Sequence, residues 1–109
     1  MYEVICGERE VGGLTVNTFK RVIYSANILE VEAGTNGYQG GDTGHGSRTY
    51  FRIQDMGSTD IQVRPTHDRF GREDGVVVAL GGDCELTTII EALKFIVTVL
   101  DDQRRESER

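Results

Sequence analysis

Residues 81–100, GGDCELTTIIEALKFIVTVL, decide the fold class because they contain the longest helical pattern in the chain. Apolar side chains recur there at the i, i+3, i+4 and i+7 spacing of an amphipathic helix. These side chains are Leu86, Ile89, Ile90, Leu93, Ile96, Val97 and Leu100. Asp83 is the predicted N-cap, and Glu85 adds negative charge at the positive end of the helix dipole. The pattern predicts a helix over about residues 84–103 and a charged tail at 104–109.

A second apolar stripe on this helix lies beside the first and consists of Ala92, Phe95 and Val99. One small sheet covers about one stripe of a helix, so the extra apolar width predicts a partner subunit. We therefore expect a homo-oligomer, a dimer or higher, that is held through the C-terminal helix. The alternative is that the N-terminal segment of the same chain covers this stripe.

Strand patterns precede the helix. Alternation of apolar and polar residues predicts strands at 19–24, 27–33, 48–54 and 60–64, with a short strand at 2–6 and a turn at Gly12 and Gly13. Pro65 is expected to end the fourth of these, and 66–75 is expected to be a surface loop. Residues 76–80 are apolar on both faces, which predicts a central strand or one that lies under another element. Strands followed by one helix predict an α+β fold: a small antiparallel β-sheet with one long C-terminal helix packed on it.

Length and charge limit the classes of function. The 109 residues of 12.1 kDa form one domain over 1–109, and 12 basic against 18 acidic residues leave a net charge of −6. An acidic chain is a poor binder of long nucleic acid, which needs a basic surface. The longest apolar run has five residues, so we expect no membrane span, and the N-terminus does not resemble a signal peptide. These features predict a cytoplasmic protein.

The loop at 34–46, GTNGYQGGDTGHG, is the main candidate for a ligand site, with six glycines in thirteen residues. Glycines let backbone amides point into a shared concavity that binds anions. Hydroxyl, imidazole, carboxylate and guanidinium groups follow in the same stretch, which suits a phosphate with a ribose attached. The candidate ligand-binding residues are Gly40, Gly41, Asp42, Thr43, His45, Ser47, Arg48, Tyr50, Arg52 and Arg64. The alternative is a long hairpin loop that needs glycine only for its turns.

Arg48, Tyr50 and Arg52 are predicted to project from one face of the strand that follows this loop. Two guanidinium groups beside a ring suit phosphate contacts with base stacking, and Arg64 on a neighbouring strand is expected to join them. A solvated sheet face would carry similar residues.

Catalysis is not predicted. His45 with Asp42 is a possible acid–base pair, but no nucleophile or metal-ligand spacing accompanies it. We expect no metal and no cofactor, and His67 with Asp68 reads as part of a surface loop. Cys6 and Cys84 stand alone, which leaves one disulfide open, although a reducing cytosol favours idle thiols.

The run LEVEAGTNGYQGGDTGHGSRTYFRI, followed by STDIQV and LGGDCELTTIIEALKFIVTVL, resembles small proteins of phages and prophages of Gram-positive bacteria. It is similar to the first family of phage Thoeris anti-defence proteins, over residues 25 to 100. Members of that family are sponges that sequester the cyclic ADP-ribose-type signal of bacterial TIR-domain immune proteins, and related sponges take up cyclic oligonucleotides.

The resemblance implies an oligomer of at least two subunits, binding without catalysis, ligand pockets at subunit contacts and action in the host bacterial cytoplasm. Two other classes remain open from the residues. One is a small enzyme that degrades such a signal with His45 and Asp42 as acid and base. The other is a protein-binding phage protein that uses the helix face.

Overall fold

The computed structural model describes residues 3–24, 27–41, 46–57 and 59–107. Within these ranges lie six strands and one helix: β1 (Val4–Val11), β2 (Leu14–Tyr24), β3 (Ile28–Thr35), β4 (Thr49–Gly57), β5 (Gln62–His67), β6 (Glu73–Ala79) and α1 (Asp83–Ser107). The first four strands form an antiparallel sheet in the order β1-β2-β3-β4, and β5 and β6 form a separate two-stranded sheet. Helix α1 packs on β3, so the predicted α+β fold is confirmed.

The core lies between α1 and one face of the four-stranded sheet. Alternate residues of β2 and β3 point to this face because successive strand side chains face opposite ways. The buried apolar side chains of the core cluster are Ile23, Leu29, Val31, Ala33, Ala92, Ile96 and Val99. Phe19, Ile53, Ile89, Phe95 and Leu100 pack around them and are partly buried.

The helix presents a different apolar stripe to solvent from the one we predicted. Ala92, Phe95 and Val99, expected to contact a partner subunit, face the sheet. The exposed residues are Leu86, Ile90, Leu93 and Val97, here called the outer stripe. The assignment was right in part, because Ile89, Ile96 and Leu100 pack on the core as predicted. Spacing alone does not tell which apolar side chains meet the sheet.

Both ends of α1 are fastened to the loops around the sheet. At the start, the buried carboxylate of Glu85 accepts hydrogen bonds from the amides of Asp60 (2.8 Å) and Gly81 (3.2 Å). Near the end, the Gln103 side chain accepts from the amide of Thr35 and donates to the carbonyl of Asn17, each at 2.9 Å. The helix therefore includes Asp83 as its first residue and continues through most of the predicted charged tail, to Ser107. No helix in the described ranges is long and apolar enough to cross a membrane.

The four-stranded sheet curls away from the helix, so that its two edge strands, β1 and β4, approach each other. Strand β1 is longer than the short strand predicted at the N-terminus, and β2 begins at Leu14. The predicted turn is confirmed: Gly12 and Gly13 have φ of 55° and 84°, the backbone that a two-residue hairpin loop requires.

Strands β5 and β6, together the hairpin arm, correct three predictions. Pro65 lies inside β5 opposite Val76, and it can do so because β5 is an edge strand. Half of the predicted loop at 66–75 belongs to the two strands, and the loop itself is limited to residues 68–72. Strand β6 is exposed throughout rather than central, and within the described residues the arm packs against no other strand or helix. An apolar run indicates burial, but it cannot tell burial within one chain from burial in an assembly.

Candidate ligand-binding site

The connection between β3 and β4, residues 36–48, is here called the Gly-rich loop. It is closed at its base by a set of hydrogen bonds. The amide of Arg48 donates to the side-chain oxygen of Asn36 at 2.7 Å, and the amide of Asn36 donates to the carbonyl of Arg48 at 3.2 Å. The hydroxyl of Thr35 donates to the same carbonyl and accepts from the amide of Gly37. These bonds join the first and the last residues of the loop, where β3 ends and β4 begins, so the base of the loop has a defined shape.

A pocket of about 200 Å³ opens beside this base, on the helix side of the sheet. We call it the loop pocket. Its lining residues are Thr35, Gly37, Tyr38, Ser47, Thr49, Leu100 and Arg104. Strands β3 and β4, the Gly-rich loop and the last part of α1 each contribute to it. The lining thus combines hydroxyl groups, one aromatic ring and one guanidinium group around a small apolar floor.

Arg104 gives the loop pocket its positive charge. Its guanidinium donates to the carboxylate of Asp101, and this bond, followed by an interaction with the Tyr38 hydroxyl, raises the pKa of Arg104. The same ion pair lowers the pKa of Asp101. The pair lies on the solvent side of the helix, where a phosphate can compete with a carboxylate for the same guanidinium donors.

Arg48 lies at the end of the loop, directly before β4. Its guanidinium donates to the backbone carbonyls of Gly46 (2.8 Å), Gly12 (3.4 Å) and Ser47 (3.4 Å). The side chain thereby ties the Gly-rich loop to the turn between β1 and β2. This arrangement favours a role in positioning the loop over direct contact with a ligand.

Tyr50 and Arg52 share one face of β4, as predicted, but they belong to an ion-pair cluster in the concave face of the curled sheet. Glu32, only 4% exposed, accepts bonds from Arg9, Arg52 and Thr18 at 2.7 to 3.2 Å. Arg52 also donates to Glu30 at 2.6 Å, and the Arg9 guanidinium lies 5.5 Å from the centre of the Tyr50 ring.

Glu32 is the electrostatic centre of this cluster. The bond from Arg9, with those from Thr18 and Arg52, lowers the pKa of Glu32 to about 2 against the effect of burial. Arg52 forms ion pairs with Glu30 and Glu32, so its charge is already balanced by carboxylates of the same sheet. The buried carboxylate has satisfied partners and makes the concave face a structural region.

The remaining candidate residues lie apart or outside the described residues. Arg64 is exposed on β5, in the hairpin arm, so it does not neighbour β4. Gly40, with φ of 80°, and Gly41 are exposed in the loop. The side chains of Asp42, Thr43 and His45 fall outside the described residues, and the acid–base pair stays a prediction. Among the described residues, no three His, Cys, Asp or Glu side chains cluster as metal ligands, and both cysteines are free and exposed.

Sequence reasoning missed most of the loop pocket. Of the predicted residues that the structure describes, Ser47 alone lines it. Tyr38 carried a usable signal, because an exposed aromatic ring between glycines is unusual in a loop that only turns. Arg104 carried none, because a basic residue in the last turns of a helix is equally explained by the helix dipole.

Comparison with models of protein families, with curated proteins and with solved structures finds no match to this chain.

Proposed function

We propose that this protein binds and sequesters a cyclic nucleotide immune signal without cleaving it, as a phage-type anti-defence protein in the host bacterial cytoplasm. The ligand class is a cyclic ADP-ribose isomer, with cyclic oligonucleotides as related ligands. The observation that carries the proposal is the loop pocket, where Tyr38 and Ser47 of the Gly-rich loop meet Arg104 of α1. The resemblance over residues 25–100 supports the same ligand class.

The chemistry of the loop pocket fits the parts of such a ligand. A guanidinium binds a phosphate by charge-assisted hydrogen bonds, and an aromatic ring offers a face on which a purine stacks. The hydroxyls of Thr35, Ser47 and Thr49 supply donors and acceptors for ribose. In this proposal Arg104 holds a phosphate, Tyr38 stacks on the base and the hydroxyls orient the sugar.

The size of the loop pocket indicates that one chain encloses only part of the ligand. Pockets that bury a drug-sized molecule measure roughly 300 to 1,000 Å³, and the loop pocket has about 200 Å³. Arg104 of its lining follows Val97 of the outer stripe by about two turns, on the same side of α1. A second copy that covers the outer stripe and extends along it therefore lies next to Arg104. We propose a homo-oligomer in which this contact completes the site and slows ligand release.

A binding test with matched variants examines the proposal. Purified protein is screened by thermal shift against cyclic ADP-ribose isomers and cyclic dinucleotides, and hits are quantified by calorimetry. Arg104→Ala is expected to weaken binding at least 30-fold, because it removes the phosphate partner. Arg105→Ala is the control: the neighbouring arginine also pairs with Asp101 but lies outside the pocket. Equal affinity of the two variants and the unmodified chain would refute the site.

Recovery of the ligand separates sequestration from catalysis. After long incubation and heat denaturation, chromatography is expected to return the ligand unmodified and in stoichiometric amount. Product in excess of protein, lost in His45→Ala, would instead establish the enzyme alternative.

A further inference from the structure

The hairpin arm is amphipathic, although it packs on nothing within the described residues. Val63 lies opposite Val78, and Pro65 lies opposite Val76, so these four side chains share one face of the arm. The other face carries Arg64 opposite Val77 and Gln62 opposite Ala79. The three valines of the apolar face are 43% to 59% exposed. A lone two-stranded hairpin is marginally stable in water at best, so an apolar face of this kind is expected to have a cover.

The arm stands away from the body of the protein and is held there. The radius of gyration is 15.4 Å, against about 13 Å for a compact domain of this length. Glu85 bonds the amide of Asp60, just before β5, and that of Gly81, just after β6. One buried carboxylate thus fastens both ends of the arm beside the first turn of α1.

The outer stripe of α1 is a matching surface on the same chain. Its four side chains are 42% to 65% exposed, and Ile90, Leu93 and Val97 line a shallow groove of about 460 Å³ with Lys94 and Thr98. Each chain thus carries two uncovered apolar surfaces: a ridge on the arm and a groove on the helix. In the described residues these two surfaces of one chain do not touch.

We propose that the apolar face of the hairpin arm docks in the outer-stripe groove of a second copy of this chain. The contact is reciprocal, with each arm on the other copy's helix, as two-fold symmetry requires. The contact covers four apolar surfaces at once, two on each copy, as an interface of the standard size of about 1,200 to 2,000 Å² requires. The inference rests on the homo-oligomer of the proposed function and names the element that covers the outer stripe.

Charge substitutions on the two faces of the arm test the docking. Val76→Lys on the apolar face is expected to weaken self-association at least 100-fold, because it places an unpaired charge in the contact. Val77→Lys is the matched control on the opposite face of the same strand, and it is expected to leave association unchanged. Leu93→Lys is expected to act like Val76→Lys. Light scattering across a concentration series measures association, and circular dichroism checks that each variant keeps its helix.

The outcomes separate this inference from the oligomer on which it rests. Dissociation by Leu93→Lys alone would keep the helix-mediated oligomer and overturn the docked arm. Association that resists both Leu93→Lys and Val76→Lys, or a wild-type monomer at micromolar concentration, would overturn the oligomer as well.

Cysteine crosslinking identifies the contacting elements. In a Cys6→Ser, Cys84→Ser background, one protein carries Val76→Cys and another carries Leu93→Cys, and the two are mixed under mild oxidation. A mixed disulfide between the two proteins is the expected main product. A predominant disulfide between two Leu93→Cys chains would mean that helices pack on each other, which overturns the inference. When both substitutions stand on one chain, an intramolecular disulfide in a monomer would overturn it by showing that the arm closes on its own helix.

Discussion

The four-stranded sheet and the hairpin arm are both antiparallel and both rich in valine, yet one is covered and the other is not. In the sheet, β3 is buried along most of its length, with α1 on one face and the ion-pair cluster on the other. In the arm, β6 is exposed at every residue. Backbone pairing is present in both, so the difference lies in what the side chains contact. A strand pattern specifies pairing, and burial depends on where a second layer is available.

The same contrast runs along α1, whose apolar side chains contact the sheet on one face and are exposed on the other. Ala92 is fully buried against the sheet, and its neighbour Leu93 is 49% exposed. The larger Phe95 and Ile96 pack beside Ala92 in the core. Both faces are apolar, so the composition of the helix alone does not decide which face is covered.

The largest expected effect comes from a charge at the buried face of α1. Ala92→Asp is expected to reduce the free energy of unfolding by about 4 kcal/mol or more, because an unpaired carboxylate would be buried in the core. Leu93→Asp, one residue along, is expected to keep the helix folded and to dissociate the proposed oligomer. Urea unfolding followed by circular dichroism at one low protein concentration measures the stability of both variants, and light scattering measures the association of Leu93→Asp. Equal loss of stability in the two variants would mean that the faces do not differ as described.

The next effect concerns the polar layer on the opposite face of β3. Glu32→Gln is expected to cost about 3 kcal/mol, because two arginines lose a buried partner that hydrogen bonds hold in place. The pKa of Glu32 falls from an ordinary value of 4.5 to about 2 in the folded chain. Its stabilising contribution is therefore complete above about pH 4.5 and is lost as the pH falls toward 2.

Urea titrations between pH 6 and pH 2 measure this linkage. The difference in stability between the unmodified chain and Glu32→Gln is expected to shrink as the pH falls. A difference that stays constant over this range would contradict the assignment of the lowered pKa to Glu32. Among the described residues, the hairpin arm does not contact the strands that carry this cluster, so it is not expected to contribute to this pH dependence.

The sequence patterns predicted some of these regions and not others, because each pattern depends on different contacts. Period-two alternation identified β3 and β4, and the periodicity of α1 identified the helix, because both depend on contacts within the chain. The burial of 76–80 was wrong and the facing of the helix side chains was wrong in part, because both depend on which surfaces meet. The predicted loop at 34–46 starts two residues early, since β3 continues to Thr35. The loop pocket was not predicted because Arg104, which lines it, lies more than fifty residues after Ser47 in the sequence.

Glycine-to-alanine substitutions compare the packing of the four-stranded sheet with that of the hairpin arm, because each substitution adds one methyl group. In β3, a Cβ at Gly34 would overlap the carbonyl oxygen of Asn17 and lie 2.9 Å from the Cα of Thr18, both backbone atoms. In β6, a Cβ at Gly75 would lie 2.7 Å from the hydroxyl of Thr66, the end of a side chain. Gly34→Ala is expected to cost about 2 to 3 kcal/mol, and Gly75→Ala about 1 kcal/mol or less, since backbone yields less than a side chain.

Thermal unfolding of both glycine variants gives the comparison. If Gly75→Ala proved the more damaging of the two, the arm would be packed more tightly than the four-stranded sheet, which is the reverse of the structure.

A similarly small effect is expected at Arg48, where the Gly-rich loop joins the sheet. Arg48→Ala is expected to lower the free energy of unfolding by about 1 kcal/mol without any ligand, because the guanidinium bonds to Gly46 and Gly12 are lost. Arg48→Lys recovers part of this at most, since an ammonium does not reproduce the planar fork. A positioning role also predicts that ligand affinity falls in Arg48→Ala while the ligand keeps its stoichiometry. Calorimetry and thermal unfolding on the same samples separate this from direct contact. If ligand affinity fell with unchanged stability of the free protein, Arg48 would touch the ligand itself, and the binding surface would extend from the loop pocket toward the turn between β1 and β2.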